Sequence, residues 1–466
     1  MPIQTAIVLA AGFGKKMFPY CDTRQKCAIP IANKPAIRRL IEQLALAGIR
    51  QIAVVVGYME SQVRHALFDF DEARIVFIRQ DEQLGTAHAL LCALDELGYE
   101  QAGEQFLVAY GDLVISDGWT QVMIHHHENA QPIASVLVQP IGQLDTREWI
   151  CASVHNGKLK CILGHPRGGV THRLVGAFIF HRSAIKYIRS NPGIMRSVQV
   201  GMMPPVEAEL AQSVQMMIEG DEEVQAIEVP GFAVDLDKPW HLIEATVHVV
   251  REMSERLDGS IIHPSAKISD GAEVTGNIVV GENCVIGKGV VIQGHAWIGS
   301  GTSITTGAIL RGHNIIGRNC KVRDYCLLGS NSVLGDGCIL GHAAEFDGIA
   351  FDGAYFYHYC EVAGVVGSSV DIGAATVCGT LRFDDLEKVH TIRSRREIPR
   401  IGANATYIGD YCRTGVNAII MPGCKIGCYS IVGPGVVLYE DLPPRTLVLV
   451  KQELVRKEWG PERYGW

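Results

Sequence analysis

Residues 9–20, LAAGFGKKMFPY, set Gly12 and Gly14 two apart, follow them with Lys15 and Lys16, and stand directly after the apolar run TAIV. A strand that ends in a glycine turn and reopens as a helix presents free backbone N–H groups, the general means of holding phosphate. A dinucleotide fold would place a third glycine three residues after Gly14, where Met17 stands, and no Walker pattern follows. A second group of cations lies in LRFDDLEKVHTIRSRREIPR, where Arg382, Arg393, Arg395, Arg396 and Arg400 could hold an anion from a loop or form a solvated charge run. The fourteen cysteines include no CxxC pair, which removes the usual metal and redox spacings.

These groups need elements to position them. A chain of 466 residues that is 47% hydrophobic can bury a large core and make two or three domains. The N-terminus lacks a basic segment ahead of a long apolar one, and no window approaches 18 uncharged apolar residues, so export and membrane spanning are not expected. The expected location is the cytoplasm, where thiols stay reduced. A net charge of −8 argues against nucleic acid as a partner.

Up to about Leu257, apolar runs such as QIAVVVG, FLVAYGD and GAFIFH alternate with helical patterns, which predicts α/β with a largely parallel sheet. PAIRRLIEQLALAG puts Ala36, Leu40 and Leu44 on one face, and GTAHALLCALDELG starts on Thr86 as an N-cap. From Ile262 the texture changes. Fifteen consecutive apolar residues recur every six positions from 262 to 346, the hexapeptide signature of a β-helix. Two residues before each stands a mostly small one; Cys284, Cys320, Cys326 and Cys338, and later Cys412 and Cys424, fall there as compact apolar filler. The period breaks after Phe346, returns near Ile372, is interrupted by the charged insertion, and resumes at Ile408. The expected division is a nucleotide-handling domain over 1–237, a linker helix over 238–258, a β-helix over 259–440 with an insertion about 379–400, and a tail over 441–466.

LAAGFGKKMFP, QKCAIPIANKPAIRRLIEQLALAGI, QDEQLGTAHAL, YGDL and GFAVDLDKPWHLIEA occur in the order and spacing of the sugar-1-phosphate nucleotidylyltransferases. With its hexapeptide half, the whole chain resembles the bifunctional enzymes that uridylylate N-acetylglucosamine 1-phosphate and acetylate glucosamine 1-phosphate; IGDYCRTGVNAIIMPGCKIGCYSIVGPGVVLYEDLPP is similar to the archaeal form. The resemblance implies a Rossmann-like nucleotidyltransferase domain followed by a left-handed parallel β-helix, acting on an NTP and a sugar 1-phosphate as a homotrimer. It implies that Ala10, Ala11, Gly12 and Gly14 wrap the nucleotide, that Gln80, Gly85 and Thr86 read its base and ribose side, and that Lys16 and Lys26 neutralise phosphates. Asp112 and Asp235 match the pair that holds Mg²⁺, a hard cation that takes oxygen ligands. In the β-helix it implies His358 as the base for acetyl transfer, and an acetyl-CoA site from Ala374, Gly415, Val416, Gly433 and Lys451.

The chain departs from the family at named places. Lys16 stands for arginine, which keeps charge and loses the bidentate fork. Gln25 stands for proline before Lys26, and Gly164 and Leu174 occupy places where polar groups clasp the hexose. His358 is one residue out of spacing, Glu361 or Val362 replaces a tyrosine, Asp371 replaces an asparagine, and no Lys or Arg occurs between Arg323 and Arg382. Three functions are therefore open: the two-step enzyme, nucleotidyl transfer alone, and a regulatory homologue that binds nucleotide sugar without turnover.

Overall fold

The computed structural model describes residues 3–198, 206–392 and 395–464. Nine strands of the N-terminal half form one sheet in the order 74–79, 51–56, 5–10, 105–110, 172–181, 134–140, 224–228, 158–164 and 150–155. Thr5–Ala10 pairs in parallel with both neighbours, while His172–His181 runs antiparallel to Gln105–Tyr110 and Ala134–Pro140. Every residue of Thr5–Ala10 is buried, because apolar clusters cover both faces of the sheet. Helix Ala36–Leu46 buries Ala36, Leu40 and Leu44, as its spacing predicts.

The start of helix Thr86–Leu97 differs from expectation. Gly85, at φ 107°, is the N-cap, and Thr86 is the first helical residue. The reason is a competing partner: the Thr86 hydroxyl donates to Glu209 Oε2 at 2.8 Å and accepts from the Leu210 N–H at 2.8 Å. A Cβ at Gly85 would also collide with the backbone of Ala208, so only glycine lets the two segments meet.

The C-terminal half stacks short parallel strands into a prism. Residues 18 apart lie side by side: Ile262 beside Val280, Val280 beside Ile298, and Ile298 beside Ile316. The inward stripe is buried from Val280 to Phe346, whereas Ile262 and Val274 are exposed because the first coil has no coil beneath it. The six inward cysteines are buried and free, and more than filler. Cys284, Cys320 and Cys326 donate to the carbonyls of Gly299, Gly335 and Gly341 at 3.1, 3.0 and 2.8 Å. Thr302 and Asn314 do the same at Gly317 and Gly329, both at 2.7 Å, so this position ties each coil to the corner of the next.

The lost period after Phe346 is a change of coil length, not an end to the stack. Leu334 lies beside Ala350 and Phe346 beside Val362, a step of 16 residues. Here two short strands and their corner merge into single six-residue strands, Glu345–Ala350 and Glu361–Val366, paired along their full length. Gly348 and Gly364 sit at the bend with φ of 142° and 139°.

The halves share a core in which Met17, Tyr20, Ile29, Ile31 and Trp240 pack with Ile315, Val333, Ile349, Val365 and Tyr407. The Tyr20 hydroxyl donates to the Val365 carbonyl at 2.7 Å. Asp410, 2% exposed, accepts from Arg24 Nε and Nη2 at 2.9 Å each, from the Thr23 hydroxyl at 2.6 Å and from the Ser368 N–H at 2.7 Å. Asp410→Asn removes the anion and places a donor against donors, so unfolding free energy should fall by about 3 kcal/mol, read as a lower denaturant midpoint. Among the described residues no helix is long and apolar enough to cross a membrane.

Candidate active site

Strand Thr5–Ala10 delivers the chain into the glycine loop. Gly14 takes φ 61°, and a Cβ there would stand 3.3 Å from Lys26 Cβ, so the lysine stem runs close along the loop. Gln25 explains its own departure from the family. Fully buried, it donates from Nε2 to the Ala10 carbonyl at 2.7 Å, accepts from the Cys27 N–H at 2.5 Å, and its own N–H donates to Gln62 Oε1 at 2.8 Å. It braces the loop and turns Lys26 inward.

Lys26 Nζ meets the Asp112 carboxylate in an ion pair. Burial would lower the Lys26 ammonium, yet Asp112, Asp235 and Asp237 hold it well above the usual lysine range. Asp112 follows Gln105–Tyr110, and Asp235 ends Ala233–Asp235, which pairs antiparallel with Leu113–Ile115; that pairing brings the two carboxylates together. Burial and the neighbouring Asp112 push Asp235 well above the carboxylate range. Its Oδ1 is buried with no hydrogen-bond partner, an oxygen placed to accept a cation. No group of three or more His, Cys, Asp or Glu capable of holding a metal occurs among the described residues, so Mg²⁺ would complete its shell with phosphate and water oxygens.

Lys16 does not point freely into the cleft: Nζ lies 2.8 Å from Asp237 Oδ2. Although burial opposes it, Lys16 and Lys26 hold the Asp237 carboxyl far below its usual range. Gln80 is buried with Nε2 2.9 Å from His88 Nδ1 and 3.4 Å from the Gly85 carbonyl. Ala10, Ala11, Gly12, Gly14, Lys16, Lys26, Asp112 and Asp235 thus form one cluster. Gln80, Gly85 and Thr86 form a second, with the Thr86 hydroxyl already committed to Glu209.

The polar groups beyond Asp235 come from residues that motif reading passes over. Lys238, 2% exposed, donates to Glu148 Oε2 at 3.0 Å and abuts Glu397 of the insertion. Arg173 lies 4.3 Å over the Trp149 ring and donates to the Ala233 carbonyl at 2.6 Å. A Cβ at Gly164 would stand 3.0 Å from Met195 Sδ, and the next residue, His165, has Nδ1 3.0 Å from the Arg147 carbonyl. The motif HPRG was the available signal for His165; nothing in the sequence pointed to Glu148 or Lys238.

On the β-helix, His358 is exposed at one corner of the prism. The Ala375 N–H donates to the His358 carbonyl, the Asn417 N–H to Ala374 and the Gly435 N–H to Val416, so His358, Ala374 and Val416 form one column. Gly415 and Gly433 stack beside it, with the Gly415 N–H on the Val432 carbonyl and the Gly433 N–H on Val448. Lys451 lies in the exposed tail two residues after Leu449, which packs on Gly433. One coil before His358 stands His342, edge-on to Tyr325 and Tyr359, a residue the sequence reading missed.

Among its described residues, the arginine-rich insertion turns away from this column. It leaves the prism between Val377–Cys378 and Thr406–Ile408, a different corner from that of His358. Its hairpin, His390–Ile392 paired with Arg395–Glu397, packs toward the N-terminal half. Arg382 pairs with Asp384 at 2.6 Å, and Arg393 lies outside the described residues. Asp371, in place of asparagine, pairs with Arg413 of the next coil at 3.3 Å.

The sheet of the N-terminal half is mixed rather than largely parallel, because only strands 74–79, 51–56, 5–10 and 105–110 and the pair 134–140 with 224–228 run in parallel as neighbours. A glycine loop at the end of its parallel part, facing Lys16, Lys26 and the carboxylates of Asp112, Asp235 and Asp237 and fused to a hexapeptide β-helix, is the arrangement of a nucleotidyltransferase of the hexapeptide-bearing class. The Nucleotidyl transferase family matches residues 5–191, the GMPPB C-terminal domain 257–349, and Bacterial transferase hexapeptide (six repeats) 400–440. The "Bifunctional protein GlmU" of Methanococcus maripaludis is 30% identical, with 97% of this chain and 98% of that protein covered. The "Bifunctional sugar-1-phosphate nucleotidylyltransferase/acetyltransferase" of Sulfurisphaera tokodaii is 26% identical, with 94% and 98% covered. The UTP-bound UGPase from Acinetobacter baumannii is 20% identical with a TM-score of 0.44, covering 54% of this chain and 94% of its own. The chain belongs to the GlmU family of bifunctional nucleotidyltransferases, and its stack of coils is the left-handed parallel β-helix of hexapeptide repeats.

Proposed function

We propose that the N-terminal half transfers a nucleotidyl group from UTP or dTTP to an N-acetylhexosamine or hexose 1-phosphate. A phosphate oxygen of the sugar attacks the α-phosphorus, the bond to the β-phosphate oxygen breaks, and pyrophosphate leaves. Such a transfer is catalysed mainly by position and by offset of negative charge. The observation that carries the reading is the cluster beside the glycine loop, where Lys26, Asp112 and the unpartnered Oδ1 of Asp235 converge. Loop N–H groups and Lys26 receive the triphosphate, and Lys16 adds charge while Asp237 fixes its direction. Bound Mg²⁺, held by Asp112 and Asp235, supplies further charge neutralisation.

At the His358 column the same reading places acetyl transfer from acetyl-CoA to an amino-sugar phosphate. The amine nitrogen attacks the thioester carbonyl carbon, the CoA thiolate leaves, and the amine proton passes to the His358 ring. Ala374, Gly415, Val416 and Gly433, with Lys451 of the tail, receive the cofactor. The column is exposed on a single chain, which suits closure by a neighbouring subunit in a cytoplasmic homotrimer. The division into 1–237, 238–258, 259–440 and 441–466 belongs to the same proposal. A second reading, nucleotidyl transfer alone, is favoured by one observation: residues 324–381 hold no Lys or Arg, while Arg382 is paired with Asp384 and Arg395 with the Arg147 carbonyl.

The test is pyrophosphate release with Mg²⁺ across a panel of NTPs and sugar 1-phosphates, with Asp112→Asn as control. Turnover with at least one pair, abolished by the substitution, is expected. Nucleotide binding without turnover of any pair would instead favour the regulatory homologue. For the second site, thiol release from acetyl-CoA with amino-sugar phosphates should fall at least a hundredfold in His358→Ala. An unchanged rate would remove His358 as the base.

A further inference from the structure

The insertion that interrupts the β-helix packs against the other half through charged contacts, a buried one at Glu397 and a more exposed one at Arg395. His390 roots it: Nε2 lies 2.8 Å from the Ala403 carbonyl, Nδ1 lies 2.8 Å from Lys425 Nζ, and the ring packs on Trp240. Ile392 is buried in the core shared by the halves. On this fixed base, Glu397, 6% exposed, reaches Lys238, and Arg395 donates to the Arg147 carbonyl at 3.2 Å with Nη1 3.1 Å from His165 Nδ1.

Both contacts lead to the cleft. Lys238 directly follows Asp237, which holds Lys16, and shares its ammonium with Glu148. His165 follows Gly164, the place where a sugar-clasping group is missing; burial, and then the charges of Arg395, Lys16 and Lys238, push its imidazole down to about 4. A buried lysine between two carboxylates is a poor way to join two domains, because desolvation consumes most of the attraction and an apolar contact would hold better. What such a triad does supply is direction: each group fixes the orientation of the others.

Resting on the nucleotidyl-transfer reading, we infer that the paired strands His390–Ile392 and Arg395–Glu397 form a wall of the sugar-phosphate side of the site, with Glu397 and Arg395 as positioning residues that act through Lys238 and His165. The hexose 1-phosphate is then met by Glu148 and His165 as hydrogen-bonding groups, with Lys238, held between Glu148 and Glu397, fixing the direction of the Glu148 carboxylate. The sugar preference of the N-terminal half is thereby set by a segment belonging to the C-terminal half.

The test separates sugar from nucleotide. In Glu397→Gln and Arg395→Ala of the full chain, the KM for sugar 1-phosphate should rise about tenfold and that for the NTP stay within twofold, with the thermal midpoint kept; Arg395→Lys should recover part of the loss. Calorimetric titration with N-acetylglucosamine 1-phosphate gives a readout independent of turnover. If wild type binds that probe and both variants bind it at least tenfold more weakly, the wall stands even if no pair turns over, which would count only against the transfer reading. Equal affinity in wild type and variants, no binding by wild type, or a parallel rise in both KM values would overturn it.

Discussion

Asp112→Asn should lower pyrophosphate release by about a thousandfold or more while leaving the protein folded. The two effects separate for a geometric reason. Asparagine matches the shape of aspartate, and Lys26 keeps Asp235 and Asp237 as acidic neighbours after the change, so no buried cation is stranded. The site nevertheless loses the carboxylate that faces Lys26 most closely and, with it, one of the two oxygen ligands proposed for Mg²⁺. Pyrophosphate release at saturating substrates, set beside a thermal unfolding curve, checks both parts. A midpoint that falls with the activity would mean that Asp112 is chiefly structural.

Gly364→Ala should be the most destabilising single change in the β-helix. A Cβ at Gly364 would land on the Thr406 carbonyl oxygen, and one at Gly348 would land on the Gly364 carbonyl oxygen. The obstacle is backbone in both cases, so no side chain can swing aside. The φ of 139° adds conformational strain that alanine cannot relieve. Overpacking and strain together should cost about 4 kcal/mol. Chemical denaturation followed by far-ultraviolet dichroism measures it. Gly353→Ala, at φ 70° with no atom closer than 3.6 Å to the new Cβ, should cost about 1 kcal/mol by strain alone.

These two positions also show what the chain discloses directly. The glycine loop, Lys26 and the aspartates lie inside continuous runs whose order is distinctive, so the nucleotide side is legible. The hexapeptide period is legible because every coil repeats one pattern over six residues. It becomes illegible where Gly348 and Gly364 let a coil lose two residues, since a fixed period cannot follow a change of step. The sugar side is illegible for a different reason. Glu148 and His165 meet where two neighbouring strands pair, Lys238 reaches Glu148 from a segment far along the chain, and Glu397 reaches Lys238 only because one half packs on the other. Thr86 misleads as an N-cap because Glu209, far along the chain, competes for its hydroxyl.

Asp410 bears on how such a protein could be rebuilt. Its side-chain hydrogen bonds join the turn of coil at Ser368 to the segment Thr23–Arg24 that leads into Lys26. A chimera that swaps in a foreign solenoid would leave Arg24 unanswered and Tyr20, Ile29 and Ile31 bare, so the grafted protein would aggregate or loosen its nucleotide grip. Recombination between relatives should therefore succeed only when the crossover carries Asp410 and the face around Val365 together with the segment 17–36 that docks on them.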